Sequence, residues 1–247
     1  MTDTFKERVY WVTGASGALG GAVARHLAQA GATVVASGRT IETSPLASVP
    51  GIVPIPVDVT KDQSVRAAFD QIHQRFERLD GLVVSTNVAA FANFLELTDE
   101  DWERVIQAKL LGSVRPIRAA LPLLLKQGKG AIVAISGRGG ISPPPNHYPG
   151  ASVNAALDLL VQALGRQYGP QGIRTNAVAP GPIDSPRFNA LERQPPAGGA
   201  PKRLTALEGP GKPEDVAEAV AYLLSDAARF VNGTRIYVDG GGPPYAE

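Results

Sequence analysis

The stretch Thr13-Gly14-Ala15-Ser16-Gly17-Ala18-Leu19-Gly20 decides how the chain is read. It follows the apolar run Val9-Tyr10-Trp11-Val12 and precedes Ala22-Val23-Ala24 and Leu27, which open a helix. Strand, glycine-rich turn, helix is the order a dinucleotide site requires. Glycines let the backbone turn tightly and approach a pyrophosphate, and the helix N-terminus offers that anion free N–H groups and partial positive charge. The competing reading is a structural strand–helix turn without a ligand.

Outward from that loop, apolar segments alternate between short strands and amphipathic helices. The first helix runs to Ala30 with Gly31 as its stop, and Ala32 to Ser37 forms a strand closed by Gly38-Arg39. Ile52 to Val57 follows as a strand with a ragged start, because Pro54 and Pro56 lack N–H donors. Thr60-Lys61-Asp62-Gln63 has the form of a capping box, and the helix behind it lines up Val65, Phe69, Ile72 and Phe76. Leu82 to Val84 is the fourth strand. Thr98 to Asp101 opens a helix that Pro116 is expected to bend. Ala131 to Ile135 is the fifth strand, followed by the loop Ser136 to Pro149.

A helix from about Ala151 to Tyr168 carries two apolar stripes: Val153, Leu157, Leu160, Leu164, and Ala156, Leu159, Ala163. Two apolar sides suit packing on the sheet and on a second subunit, or within a thick internal helix layer. Ile173 to Val178 is the sixth strand, and residues 187–208, rich in Pro and Gly, read as a substrate flap. Lys212-Pro213-Glu214-Asp215 starts the last helix and Thr234 to Val238 the last strand. The pattern predicts an α/β fold: one doubly wound, Rossmann-type domain over 1–247, with a parallel sheet of about seven strands and helices on both faces.

Bulk properties narrow the function. The 247 residues carry 24 Lys and Arg against 23 Asp and Glu, and scattered basic residues give no nucleic-acid or membrane surface. No apolar run approaches the roughly 20 residues of a membrane span. Without cysteine there is no disulfide or thiol chemistry, and His26, His73 and His147 are too far apart to suggest a metal cluster. The N-terminus lacks a signal-peptide layout, so the expected location is the cytoplasm.

The order of these pieces resembles the short-chain dehydrogenase/reductase family over essentially the whole chain. TGASGALG resembles that family's TGxxxGxG loop, with Ala18 at the middle glycine position and Gly17 giving an alternative register. The resemblance implies an NAD(P)(H) site formed by Gly14, Ser16, Gly17, Leu19 and Gly20, with Asp58-Val59 at the adenine and Asn87 in the segment that replaces the family's NNAG. Pro180, Gly181 and Ile183 would hold the nicotinamide amide. Residues 213–217 and 238–241 match its C-terminal signatures. Where an acidic residue would bind the ribose diol of NAD, this chain has Gly38 followed by Arg39. A guanidinium suits a 2′-phosphate, so NADP is favoured over NAD, the competing reading being Arg39 stacked on adenine or in solvent.

The family's chemistry uses a Tyr acid/base, a Lys four residues on, a Ser about 13 residues before the Tyr, and an Asn on the preceding helix. Anchored on Gly172-Ile173-Arg174-Thr175-Asn176, the Tyr, Lys and Ser positions fall at Gly150, Asn154 and Gly137; counted from Trp102-Glu103-Arg104-Val105-Ile106, the helix Asn falls at Lys109. All four differ from the pattern. Three readings stay open: loss of the chemistry; relocation to Tyr148 and Ser136, with Ser152 then at the Lys position; and an exchange in which Lys109 serves the nicotinamide ribose from the opposite wall. His147 is a further acid/base candidate, and Arg138 could face an anionic substrate or solvent. The resemblance therefore implies either a non-catalytic or redox-impaired subunit, or a dehydrogenase/reductase of a small carbonyl or alcohol using Tyr148, Ser136, His147 and Lys109. Pairing with a relative, as homo- or hetero-oligomer, is expected through the helices at 99–125 and 151–168.

Overall fold

The computed structural model describes residues 4–242 except 87, 89, 187 and 190–204. Seven strands form one parallel sheet: β1 (Val9–Thr13), β2 (Thr33–Gly38), β3 (Ile52–Pro56), β4 (Gly81–Val84), β5 (Gly130–Ile135), β6 (Ile173–Pro180) and β7 (Arg235–Val238), ordered β3-β2-β1-β4-β5-β6-β7. The order reverses between β1 and β4, where β1 lies against both β2 and β4 (Trp11 beside Val35 and Leu82). In such a sheet that reversal opens a crevice at the C-terminal strand ends, where ligands bind.

The period-2 alternation of β1 sorts its side chains to two cores. Tyr10 and Val12 meet α1 (Ala18–Gln29) and α6 (Pro213–Leu224) through Val23, Leu27, Val216 and Val220. Val9 and Trp11 meet α2 (Asp62–Phe76), α4 (Leu111–Gln127) and α5 (Tyr148–Tyr168) through Val65, Ile72, Ile117, Leu124 and Val161. Both faces are covered, which is why the central strands are buried at every residue. The buried indole of Trp11 is satisfied by donating to Ser37 Oγ at 2.9 Å.

Several local expectations change. The capping box expected at Thr60–Gln63 does not form: α2 starts at Asp62 after Lys61 with no side-chain cap. Thr60 turns back instead and donates to Asp58 Oδ1 from both its N–H and its hydroxyl, at 3.0 and 2.7 Å. A true capping box sits at Thr98 and Asp101, at the start of α3 (Asp99–Val105). The helix expected from Thr98 is irregular before Pro116 is reached: Ile106–Leu110 is a π-helical turn joining α3 to α4, and α4 then runs on through Pro116 and Pro122. Helix α5 begins at Tyr148, three residues earlier than the apolar stripes indicate, because Pro149 is acceptable in a first turn whose N–H groups are unpaired anyway. The two prolines of β3 lie on the sheet's edge strand, where a missing donor costs no ladder bond on the open side.

Among the described residues, no helix is long and apolar enough to cross a membrane. The flap expected at 187–208 lies mostly outside the described residues.

Candidate functional site

The glycine loop crosses the C-terminal end of β1. Gly14 adopts φ +70°, and a Cβ there would run into the carbonyl of Ser85, at the end of β4. At Gly20 a Cβ would stand 2.5 Å from Gly14 O, so the loop lies directly on the first turn of α1. Gly17 caps that helix without a side chain, and the first turn holds no acidic residue. Ser16 and Gly17 are exposed and Leu19 half-buried. The result is a cradle of backbone N–H groups at a positive helix end, which fits the pyrophosphate of a dinucleotide.

The neighbouring positions continue that cradle. Gly38, at the end of β2, leaves room that Ser16 Oγ fills, and Arg39 beside it is exposed. Hydrogen bonds from Thr60 hold the Asp58 carboxyl below the usual carboxylate range, with Lys61 and Arg39 adding attraction, so it is anionic at neutral pH. Val59 is braced from below: its carbonyl accepts from Arg115 Nη1 at 2.9 Å, and its side chain lies where Gly112 has no Cβ. On the far side of the crevice, Gly181 donates to Val238 O at 3.0 Å and Ile183 is buried. Asn87 lies outside the described residues. Gly112 and Thr86 were not singled out by sequence. Thr86 carries a buried hydroxyl without a partner beside Gly112, and the only signal in the sequence was a glycine inside a helix.

At the expected reaction centre, the π-helical turn and α5 face each other. Lys109, 5% exposed, extends from the π turn and donates to Ser136 O at 2.9 Å and to Asn154 Oδ1 of α5. Asn154 is 2% exposed. Lys109 and Asn154 are thus direct neighbours, joined in a buried polar contact. The π turn makes this possible: one extra residue re-aims the side chains that follow, a device found at functional sites.

The other two positions lack side chains, and their neighbours fill the space. A Cβ on Gly137 would stand 2.7 Å from Asn154 Nδ2, and a Cβ on Gly150 would run into the imidazole of His147. That imidazole stacks on Phe91 with centroids 4.4 Å apart and 9° between planes. The structure does not join Ser136 to Tyr148. Ser136 Oγ is buried and donates to Val178 O at 3.4 Å, inside the sheet. Tyr148 is 41% exposed and packs edge-on against Phe94. The two residues of the expected relocated pair thus have different immediate contacts. Among the described residues no group of His, Asp and Glu could hold a metal ion.

The model of a family described as enoyl-(acyl carrier protein) reductase matches residues 14–242. The 3β-hydroxysteroid dehydrogenase 1 of Eggerthella lenta is 34% identical over 98% of this chain and 95% of its own. The cis-4-hydroxycyclohexanecarboxylate dehydrogenase of Sinomonas cyclohexanicum is 36% identical over 98% of each chain. In structure, a short-chain type dehydrogenase/reductase from Mycobacterium ulcerans superposes with a TM-score of 0.89 at 27% identity, covering 98% of this chain and 94% of that one.

Proposed function

Since this chain belongs to the short-chain dehydrogenase/reductase family of oxidoreductases, we propose that it binds NADP(H) in preference to NAD(H) without running the family's usual Ser/Tyr/Lys/Asn relay. On this reading it is a redox-impaired subunit that pairs with a second chain of the same fold. The observation that carries it is the filling of the reaction centre: His147 and Asn154 occupy the space over Gly150 and Gly137. A glycine can neither polarise a carbonyl nor move a proton, and losing one positioned acid removes about 10² to 10⁴-fold in rate. The intact glycine cradle supports nucleotide binding, and exposed Arg39 beside Gly38 supports the 2′-phosphate. Lys109 supplies a cation on the wall opposite the family's usual lysine. Pairing is supported by an apolar groove between α4 and α5, lined by Val114, Leu121, Leu125, Leu160 and Leu164.

A second reading keeps the reaction and assigns the proton to His147. It is favoured by the position of the imidazole at the root of the missing tyrosine side chain, and by the dehydrogenase and reductase names of the relatives. Fluorescence titration with NADPH and NADH, beside a dehydrogenase assay on hydroxylated and keto rings, separates the two. We expect NADPH to bind more tightly than NADH, with no turnover above background. Turnover abolished by His147→Ala would establish the second reading in its place, and turnover abolished by Tyr148→Phe but kept in His147→Ala would defeat both readings. A chain that binds neither nucleotide would defeat the whole proposal.

A further inference from the structure

We propose that Arg138 is a carboxylate-binding residue, so that the small molecule taken up in the crevice is an organic anion. Arg138 starts the 3-10 turn Arg138–Gly140 after β5. Its place is fixed by backbone. Gly140 donates to Gly137 O at 3.1 Å, and Ile141 and Ser142 both donate to Arg138 O, at 3.0 and 3.1 Å. Gly140 lies so close to α5 that a Cβ there would stand 2.8 Å from the backbone nitrogen of Ala155. The turn is clamped to α5, and the arginine that leaves it has a restricted range of directions.

The guanidinium reaches the turn after β7, where Gly242 would place a Cβ 3.6 Å from Nη1. There Nη1 is buried and has no hydrogen-bond partner. A buried guanidinium N–H without an acceptor is costly, and such groups are otherwise almost always satisfied. The charged and titratable groups beside it do not satisfy it. Asp239, in the same turn, accepts the Gly241 N–H through Oδ1 at 3.1 Å, and its Oδ2 lies 3.6 Å from that same Gly242 position. The His147 imidazole stands 3.2 Å from where a Gly139 side chain would begin. Gly137 and Gly139, on either side of Arg138 in the chain, carry no side chain. A planar carboxylate matches the guanidinium fork, brings the opposite charge, and would draw the guanidinium out of a position in which Nη1 goes unsatisfied.

The inference rests on the crevice at the C-terminal strand ends being the ligand pocket, and it holds whether or not the chain turns its ligand over. Binding of benzoate and of its neutral isostere benzamide, measured by calorimetry on the full chain with and without saturating NADPH, tests it. Benzoate is expected to bind about tenfold or more tightly than benzamide, an advantage lost in Arg138→Gln and partly kept in Arg138→Lys. Equal binding of the two probes, no benzoate binding at all, or benzoate affinity unchanged in Arg138→Gln would overturn the assignment. An unaltered circular dichroism spectrum and thermal midpoint for Arg138→Gln separates loss of the contact from loss of the fold, with Arg138→Lys as the second variant. Failure of NADPH to bind while benzoate still binds would break the proposed nucleotide function and leave Arg138 standing.

Discussion

Lys109 is a cation taken out of water, and its immediate partners are the Ser136 carbonyl and the Asn154 amide oxygen. The ammonium ties the π turn to the end of β5 and to α5. Lys109→Met is expected to leave those two acceptors short of a donor, at about 1–3 kcal/mol of stability. It should also weaken NADPH binding by about tenfold, the order of a lost charge-assisted contact. A fluorescence titration giving the parent dissociation constant would show that the lysine serves the fold alone. The same scale governs what can be placed at Gly150. A tyrosine at position 150 would have to displace the His147 ring from its stack on Phe91. Of the resemblance-derived positions, the Lys109 and Asn154 exchange was legible in sequence as two unmatched residues. That they touch was not, since they are 45 residues apart.

At the scale of elements, the first turn of α1 is the proposed anion site. Its N–H groups are uncapped by any side chain, and no acid competes with a phosphate for them. Ala18, at the position where the family's loop has glycine, is exposed. Ala18→Asp should therefore leave stability unchanged or slightly raised, because an acid suits a helix N-terminus by about 0.3–1 kcal/mol. The same charge should lower nucleotide affinity about tenfold, with the loss shrinking as salt is added. Unchanged affinity at low salt would place the pyrophosphate elsewhere. Elements were read well where one physical signal dominated: apolar runs for the buried strands, and Pro213 with Glu214 and Asp215 for the start of α6. They were misread where tertiary contacts compete with local ones. Thr60 caps no helix because Asp58 offers its hydroxyl a charged acceptor. The π turn at 106–110 has no sequence signature of the kind that prolines and apolar runs supply.

Across the whole molecule, the sheet's burial on both faces sets a pH limit. Tyr10 is fully buried in the first core, against Phe5 with ring centroids 5.5 Å apart. Burial pushes its pKa up to about 12, with nearby Arg8 opposing part of the rise. The folded pKa is the higher one, so the stability from keeping this phenol neutral is fully present below about pH 10, the unfolded value. It is lost as pH rises through about 12. The loss amounts to about 2–3 kcal/mol over that window. Urea midpoints measured from pH 8 to 12 should fall above pH 10, and Tyr10→Phe should flatten that fall at little cost near neutrality. A variant that loses stability as steeply as the parent would show that the alkaline limit lies elsewhere.

The sequence by itself determined the parallel α/β sheet, the glycine cradle and the departure of four chemistry-bearing positions from the family pattern. Strand and helix periodicities and the strand–glycine–helix order are local properties, set by side-chain sorting and backbone freedom within a few residues. Tertiary structure alone decided what fills the reaction centre. Ser136 turned into the sheet, Tyr148 went to the surface against Phe94, and His147 and Asn154 took the space over the glycines. Those outcomes depend on close packing between β5, the π turn and α5, segments distant in sequence, where a volume left by one residue is claimed by whichever neighbour can reach it.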